Sequence, residues 1–139
     1  MAFYFTTEEI ESPNIQEEKI QEWIQKIVKE YSKKTGDITY VFTSDSYILK
    51  INQQYLQHDY YTDIITFDYS ENDIISGDLF ISLDTVRSNA KKYNVTFLEE
   101  LHRVIIHGIL HLLGFNYKTE EENLQMRGLE NKALEKLNC

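Results

Sequence analysis

The amino-acid sequence predicts an α+β fold, a mixed four-stranded sheet packed with about five helices in one domain spanning residues 1–139. Two observations predict it. Apolar residues recur with period two in short β-branched and aromatic runs, and with helical period in longer stretches, in the order β-α-β-α-β-β-α-α-α. Proline occurs once, at Pro13, and glycine only five times, so most of the chain is regular structure joined by short connections.

The elements follow in order. Residues 2–5, Ala-Phe-Tyr-Phe, read as a first strand. Residues 6–14 form an acidic connection ending at Ser12-Pro13, where serine can cap a helix and proline can take its first position. Ile20, Trp23, Ile24, Ile27, Val28 and Tyr31 then recur at helical spacing among Glu, Gln and Lys, an amphipathic helix ending near residues 33–36. Ile38, Tyr40 and Phe42 alternate with Thr39, Val41 and Thr43 as a strand. Ser44 can cap a second helix carrying Tyr47, Ile48, Ile51 and Tyr55. A polar and aromatic stretch, residues 57–63, leads into a β-branched strand at 64–67, and Ser76-Gly77-Asp78 reads as a turn into another at 79–81. Residues 84–93 are a helix with Val86 and Ala90 inward. Thr96 and Glu99 make a capping box that opens the central helix, which runs through Leu113. Thr119 and Glu122 make a second, opening a last helix that carries Leu124, Leu129, Ala133, Leu134 and Leu137.

Composition narrows the function. No apolar run reaches the roughly 18 residues of a membrane span. Residues 1–5 lack a basic segment followed by a long apolar one, so no secretory signal is expected. The single cysteine, Cys139, can form neither an internal disulfide nor a cysteine-based zinc site, which fits a reducing cytoplasm. A formal net charge of -9 opposes strong non-specific binding to nucleic acid, because phosphate contacts need clustered cations. A nucleic-acid target is compatible with that charge where the basic residues share one face. Arg87, Lys91 and Lys92 lie on one predicted helix and are the candidate contact; solvated surface is the competing reading.

The stretch richest in chemistry is His107-Gly108-Ile109-Leu110-His111-Leu112-Leu113-Gly114, the end of an apolar run that begins at Val104. Four helical residues turn through about 400°, so the two imidazoles project from one face, roughly 40° and one turn apart. His-x-x-x-His on a helix is a zinc-ligand spacing, whereas a lone buried histidine is more often satisfied by the backbone. Gly114 can take the left-handed conformation that ends a helix, and the chain beyond it can return toward the same ion. The protease version of this motif places its general base directly after the first histidine. Here that position is Gly108, so peptide hydrolysis by that route lacks its base. A divalent ion can by itself lower the pKa of a bound water to about 7, chemistry suited to a phosphodiester as well as to an amide.

These residues resemble a known family. His107 to Gly114 is similar to His-Gly-x-Leu-His-Leu-x-Gly, the signature of the YbeY family of bacterial endoribonucleases that mature ribosomal RNA. Ile51-Asn52-Gln53-Gln54-Tyr55, then Asp59, then Thr62-Asp63-Ile64-Ile65-Thr66-Phe67 looks like the family's Leu-Asn-x-x-Tyr-Arg … Asp-x-Pro-Thr-Asp-Val-Leu-Ser-Phe. Gly77-Asp78-Leu79-Phe80-Ile81-Ser82 looks like its Gly-Asp-Ile-x-Ile-Ser, and with the helix of Met126 and Glu130 the match runs from about residue 40 to the end. The resemblance implies a cytoplasmic, metal-dependent endoribonuclease. Its substrate would be single-stranded ribosomal RNA at the 3′ end of the 16S molecule, its partner the small ribosomal subunit, and its ion zinc, on His107 and His111.

Two departures stand out. The family's third histidine ligand falls on Tyr117, whose phenol ligates more weakly because its pKa near 10 must first be depressed by the ion. The family's arginine after the tyrosine falls on Leu56, removing a cation that can contact phosphate. His58, two residues on, is the candidate to take over part of that role, and an exposed loop histidine is the alternative. Asp63 and Asp59 border the strand expected near the metal helix; Asp63 is a candidate catalytic residue that can orient a ligand imidazole, or else a loop cap. His102, about 140° round the helix from His107, is read as structural or exposed. Two rival readings follow: a ribosome-assembly binding protein that keeps the fold without the catalysis, and a metal-dependent hydrolase of a small substrate.

Overall fold

The computed structural model describes residues 2–56, 63–115 and 118–137, without the side chains of Tyr55 and Leu56. In order, the elements are β1 (Ala2–Glu8), α1 (Glu17–Glu30), β2 (Lys34–Thr43), α2 (Asp45–Ile51) running into a π-helical turn (Asn52–Leu56), β3 (Ile64–Asp68), β4 (Ile74–Ser82), α3 (Leu83–Lys92), α4 (Phe97–Leu112) and α5 (Glu120–Leu137). The sheet order is β1-β2-β4-β3. β1 and β4 both run parallel to β2, and β3 runs antiparallel to β4. The predicted mixed α+β architecture is therefore present, with five α-helices on a four-stranded sheet.

Strand alternation sorts side chains to the two faces of this sheet. On one face Ile38, Tyr40, Phe42, Ile75, Leu79 and Ile81 join α1, α3, α4 and α5 in the main core. On the other, Ile65, with Phe67 and Phe80 packed beside it, meets Ile48 and Ile51 of α2 in a smaller cluster. α4 touches both β3 and β4 and also α1, α3 and α5, which makes it the central helix. Buried polar groups fasten the layers. The Tyr40 hydroxyl donates to the Ile105 carbonyl at 3.0 Å, joining β2 to α4, and the Trp23 indole donates to the Ala133 carbonyl at 2.7 Å, joining α1 to α5.

Four boundaries and one buried face differ from the sequence reading. β1 continues to Glu8, because residues 6–8 pair with residues 41–43 of β2. Ser12-Pro13 does not open α1; the helix starts at Glu17 after Gln16, and the acidic residues Glu17 and Glu18 sit in its first turn, where the dipole favours negative charge. α1 stops at Glu30 rather than near residue 36. Ser32 takes φ 61° and its N–H reaches the Lys29 carbonyl, so the chain turns before Gly36 and β2 begins at Lys34. Ser76-Gly77-Asp78 lies inside β4, between β2 and β3, rather than in a turn. Leu124 is 72% exposed. The buried stripe of α5 is Met126, Glu130, Ala133 and Leu137, and Leu124 stands about 200° round the helix from Met126.

Candidate active site

The site is built on α4. Its start is the predicted capping box: the Glu99 N–H donates to the Thr96 hydroxyl, and the Glu99 carboxylate accepts from the Thr96 N–H. Its end is Gly114, at φ 103°, whose N–H bonds the His111 carbonyl while the Phe115 N–H bonds the Leu110 carbonyl. Between them the helix lies close on the sheet at Gly108. A Cβ there would stand 2.3 Å from Leu79 Cδ2 and 2.9 Å from Ile64 Cδ1. The position that carries the base in the protease motif thus presses into buried sheet side chains, where a glutamate has no room.

Arg103, His107 and His111 follow one another at four-residue spacing, forming one row along α4. All three are half-buried. The Nδ1 of His107 lies 2.7 Å from Oε2 of Glu130 on α5. The other oxygen of that carboxylate accepts from Arg103 at 2.9 Å, and Arg103 also donates to the Asn131 side chain at 2.8 Å. Glu130 is 5% exposed, so this is a buried carboxylate held by two partners on α4. A carboxylate oxygen accepts, so with the ring proton on Nδ1 the contact is a hydrogen bond to Glu130 and Nε2 is left as an electron-pair donor.

Burial is the main cause that holds His111 below the ordinary imidazole range, with His107 and Lys118 pushing the same way and Asp68 opposing. That direction favours the neutral imidazole a metal ligand needs at His111. Asp63 precedes β3, and its carbonyl accepts from the Ser82 N–H at 2.9 Å. Burial raises its carboxyl above the usual range; His107 and two backbone N–H groups oppose that, and Glu130 adds to it. Glu100, 6% exposed, is also raised, first by burial and then by the charge of Asp63. Asp63, Glu100 and His107 line one cleft of about 280 Å³ between α3, α4 and α5.

The structure places Asp63 and His107 on one cleft, with His111 one turn further along α4. His58, Asp59 and Tyr117 lie outside the described residues. Among the described residues no third His, Cys, Asp or Glu joins the two histidines as a metal-holding group. His102 is structural, its ring edge-on to Trp23 at 6.1 Å between centroids. Arg87, Lys91 and Lys92 are exposed on α3; Arg87 lies 3.9 Å from Asp84 and over the Phe97 ring. Sequence reasoning missed Arg103, Glu100 and Glu130 as parts of the site. The signal for Glu130 was present: a carboxylate on the same stripe as Met126, Ala133 and Leu137 is costly to bury unless a partner waits for it.

The chain as a whole is similar to known proteins. Residues 5–138 match the family model described as Endoribonuclease YbeY. A protein of that name from Parabacteroides distasonis is 57% identical over 134 residues, covering 96% of this chain and 94% of its own length. One from Bacteroides thetaiotaomicron is 54% identical over 134 residues, covering 96% and 98%. A solution structure of a Thermotoga maritima protein superposes with a TM-score of 0.70 at 28% identity, covering 98% of this chain and 89% of that one. No described helix is long and apolar enough to cross a membrane.

Proposed function

The chain belongs to the YbeY family of endoribonucleases, and from that premise we propose that His107 and His111 hold one zinc ion at the centre of a single-strand RNA cleavage site. The chain is an endoribonuclease, a hydrolase of the ribosomal RNA processing kind, in a family of metalloenzymes. The observation that carries the metal reading is the Glu130–His107 contact. Imidazole ligands commonly give their second ring N–H to a carboxylate, which sets the tautomer and raises ligand basicity. The 2.7 Å contact supplies that partner, and the low proton affinity of His111 suits the second ligand. The donor set of two imidazoles therefore fits a divalent ion, with Tyr117 or a water to complete it.

When bound, the ion supplies Lewis acidity for attack on the phosphodiester and neutralises charge that develops on it. The protein's own groups do the rest. Glu130, anchored by Arg103, keeps His107 Nε2 directed away from its Nδ1 partner. Asp63, raised by burial beside His107, can hold and release a proton at the cleft, the property a general acid or base needs. His58 takes the phosphate-contacting place of the arginine that Leu56 replaces. Arg87, Lys91 and Lys92 contact the RNA backbone, and with a net charge of -9 the remaining attraction comes from the small ribosomal subunit around the 3′ end of 16S RNA. The work is cytoplasmic, and residues 1–139 act as one domain.

The test is cleavage of a single-stranded ribosomal RNA fragment with added zinc by the wild type and by His107→Ala. Cleavage that disappears in the variant supports the reading. Equal cleavage by both sinks the metal site, and association with ribosomal particles without any cleavage makes the chain a binding protein.

A further inference from the structure

Tyr93 follows the last turn of α3 and is 48% exposed, although it is an aromatic ring beside a cleft that reaches His107. Two cations stand over that ring: Lys92 Nζ at 5.5 Å and Arg127 Cζ at 5.9 Å from its centroid. Tyr93 and Arg127 line both the 280 Å³ cleft and a second of about 360 Å³. The amides of Asn89 and Asn123 line the first cleft as well. On the assignment of single-stranded RNA as substrate, we propose that Tyr93 is the stacking platform of a nucleobase subsite beside the histidine pair, with Arg127 and Lys92 flanking it for the strand's phosphates and Asn89 and Asn123 meeting the edge of the base.

The chemistry of the cleft selects this ligand. A flat, neutral base gains from an exposed aromatic face, and stacking of that kind tolerates any base. The two cations over the ring belong to long surface side chains that can swing to the rim, where they meet phosphates and add cation–π attraction. The interior of the cleft favours a neutral group over a phosphate. Glu100, Asp63 and Glu130 line it, and Arg103, which lines it too, is already engaged by Glu130. A side-chain amide both donates and accepts, so Asn89 and Asn123 can answer the mixed donors and acceptors on a base edge. The backbone is thus kept to the rim and the base goes inward, which leaves the scissile linkage on the His107 side.

The test uses the full chain loaded with zinc and a short fluorescent single-stranded RNA, with a second RNA in which one base is removed to leave an abasic sugar. Binding is measured for the wild type, Tyr93→Phe and Tyr93→Leu at two salt concentrations. Tyr93→Leu should bind the complete RNA about tenfold more weakly, with the slope against salt and the zinc content unchanged, while Tyr93→Phe binds as the wild type does. Removing the base should weaken the wild type and leave Tyr93→Leu nearly unaffected. Equal binding by wild type and Tyr93→Leu overturns the subsite, and so does an equal loss on the complete and abasic RNA. Cleavage that persists with either of those results keeps the endoribonuclease assignment. A wild type that neither binds nor cuts any RNA overturns the substrate reading and the subsite with it.

Discussion

His107 of α4 and Glu130 of α5 are joined by a 2.7 Å contact across a buried helix–helix interface, and the same carboxylate is gripped at 2.9 Å by Arg103 one turn earlier on α4. On the proposed metal reading, this helix-packing contact also sets the electron density of a ligand imidazole. Glu130→Gln keeps the volume but loses the charge, and its amide can present a donor instead of an acceptor. Zinc affinity should fall about 10–100-fold, as for other partners of ligand histidines, with the fold retained. Chelator competition measures the affinity. Unchanged affinity in the variant would make Glu130 a packing residue only.

His107→Ala and His111→Ala should each abolish stoichiometric zinc binding, because the donors left cannot hold a four-coordinate ion. Tyr117→His should tighten it, by replacing a phenol that must lose a proton with a neutral imidazole. Metal analysis of protein prepared without a histidine tag, followed by competition titration, reads both effects. Full zinc content in either alanine variant contradicts the assignment.

Ile27 is 2% exposed, in the apolar stripe by which α1 covers the sheet. Ile27→Ala should cost about 2–5 kcal/mol in urea or guanidinium unfolding, the lost transfer energy plus the cavity. A loss within about 0.5 kcal/mol, the range of surface substitutions, would contradict that packing.

His102 gives a pH dependence with a defined sign. Burial first, and Lys19 second, hold its pKa below the ordinary value, so the folded protein takes up its proton less readily than the unfolded chain. Its contribution is complete above about pH 6.5 and is lost as pH falls through that value toward the depressed one. His102→Gln should therefore lose less stability than the wild type between about pH 8 and about pH 5. Denaturation midpoints at the two pH values decide it; parallel losses in the two proteins would remove His102 as the cause.

Replacing Arg87, Lys91 and Lys92 together with Glu should weaken association with ribosomal particles and leave metal content unchanged, since these side chains are exposed on α3. Co-sedimentation at two salt concentrations, with zinc content as the control, tests this. Normal particle binding by the triple variant would make the patch ordinary solvated surface.

Much of this was legible in the residues. Periodicity, with capping and turn residues, placed all four strands and five helices in order, because a half-buried strand and an amphipathic helix leave different spacings of apolar side chains. The His-x-x-x-His spacing put two imidazoles in one row by helix geometry, and the capping boxes at Thr96 and Thr119 are local chemistry that needs no tertiary contact. Other features belong to the tertiary structure. α1 ended early because a left-handed Ser32 and the pairing of β2 with β4 decided where the chain turned. Leu124 faces water because the position of α5 against α1 and α4, and not its own composition, chose the buried stripe. The Arg103–Glu130–His107 chain joins residues 23 to 27 positions apart, and the cleft under Tyr93 is assembled from α3, α4 and α5. Spacing along one helix is set by covalent geometry and can be read from residue numbers; contact between helices is set by how buried surfaces pack, and that is decided only when the chain has folded.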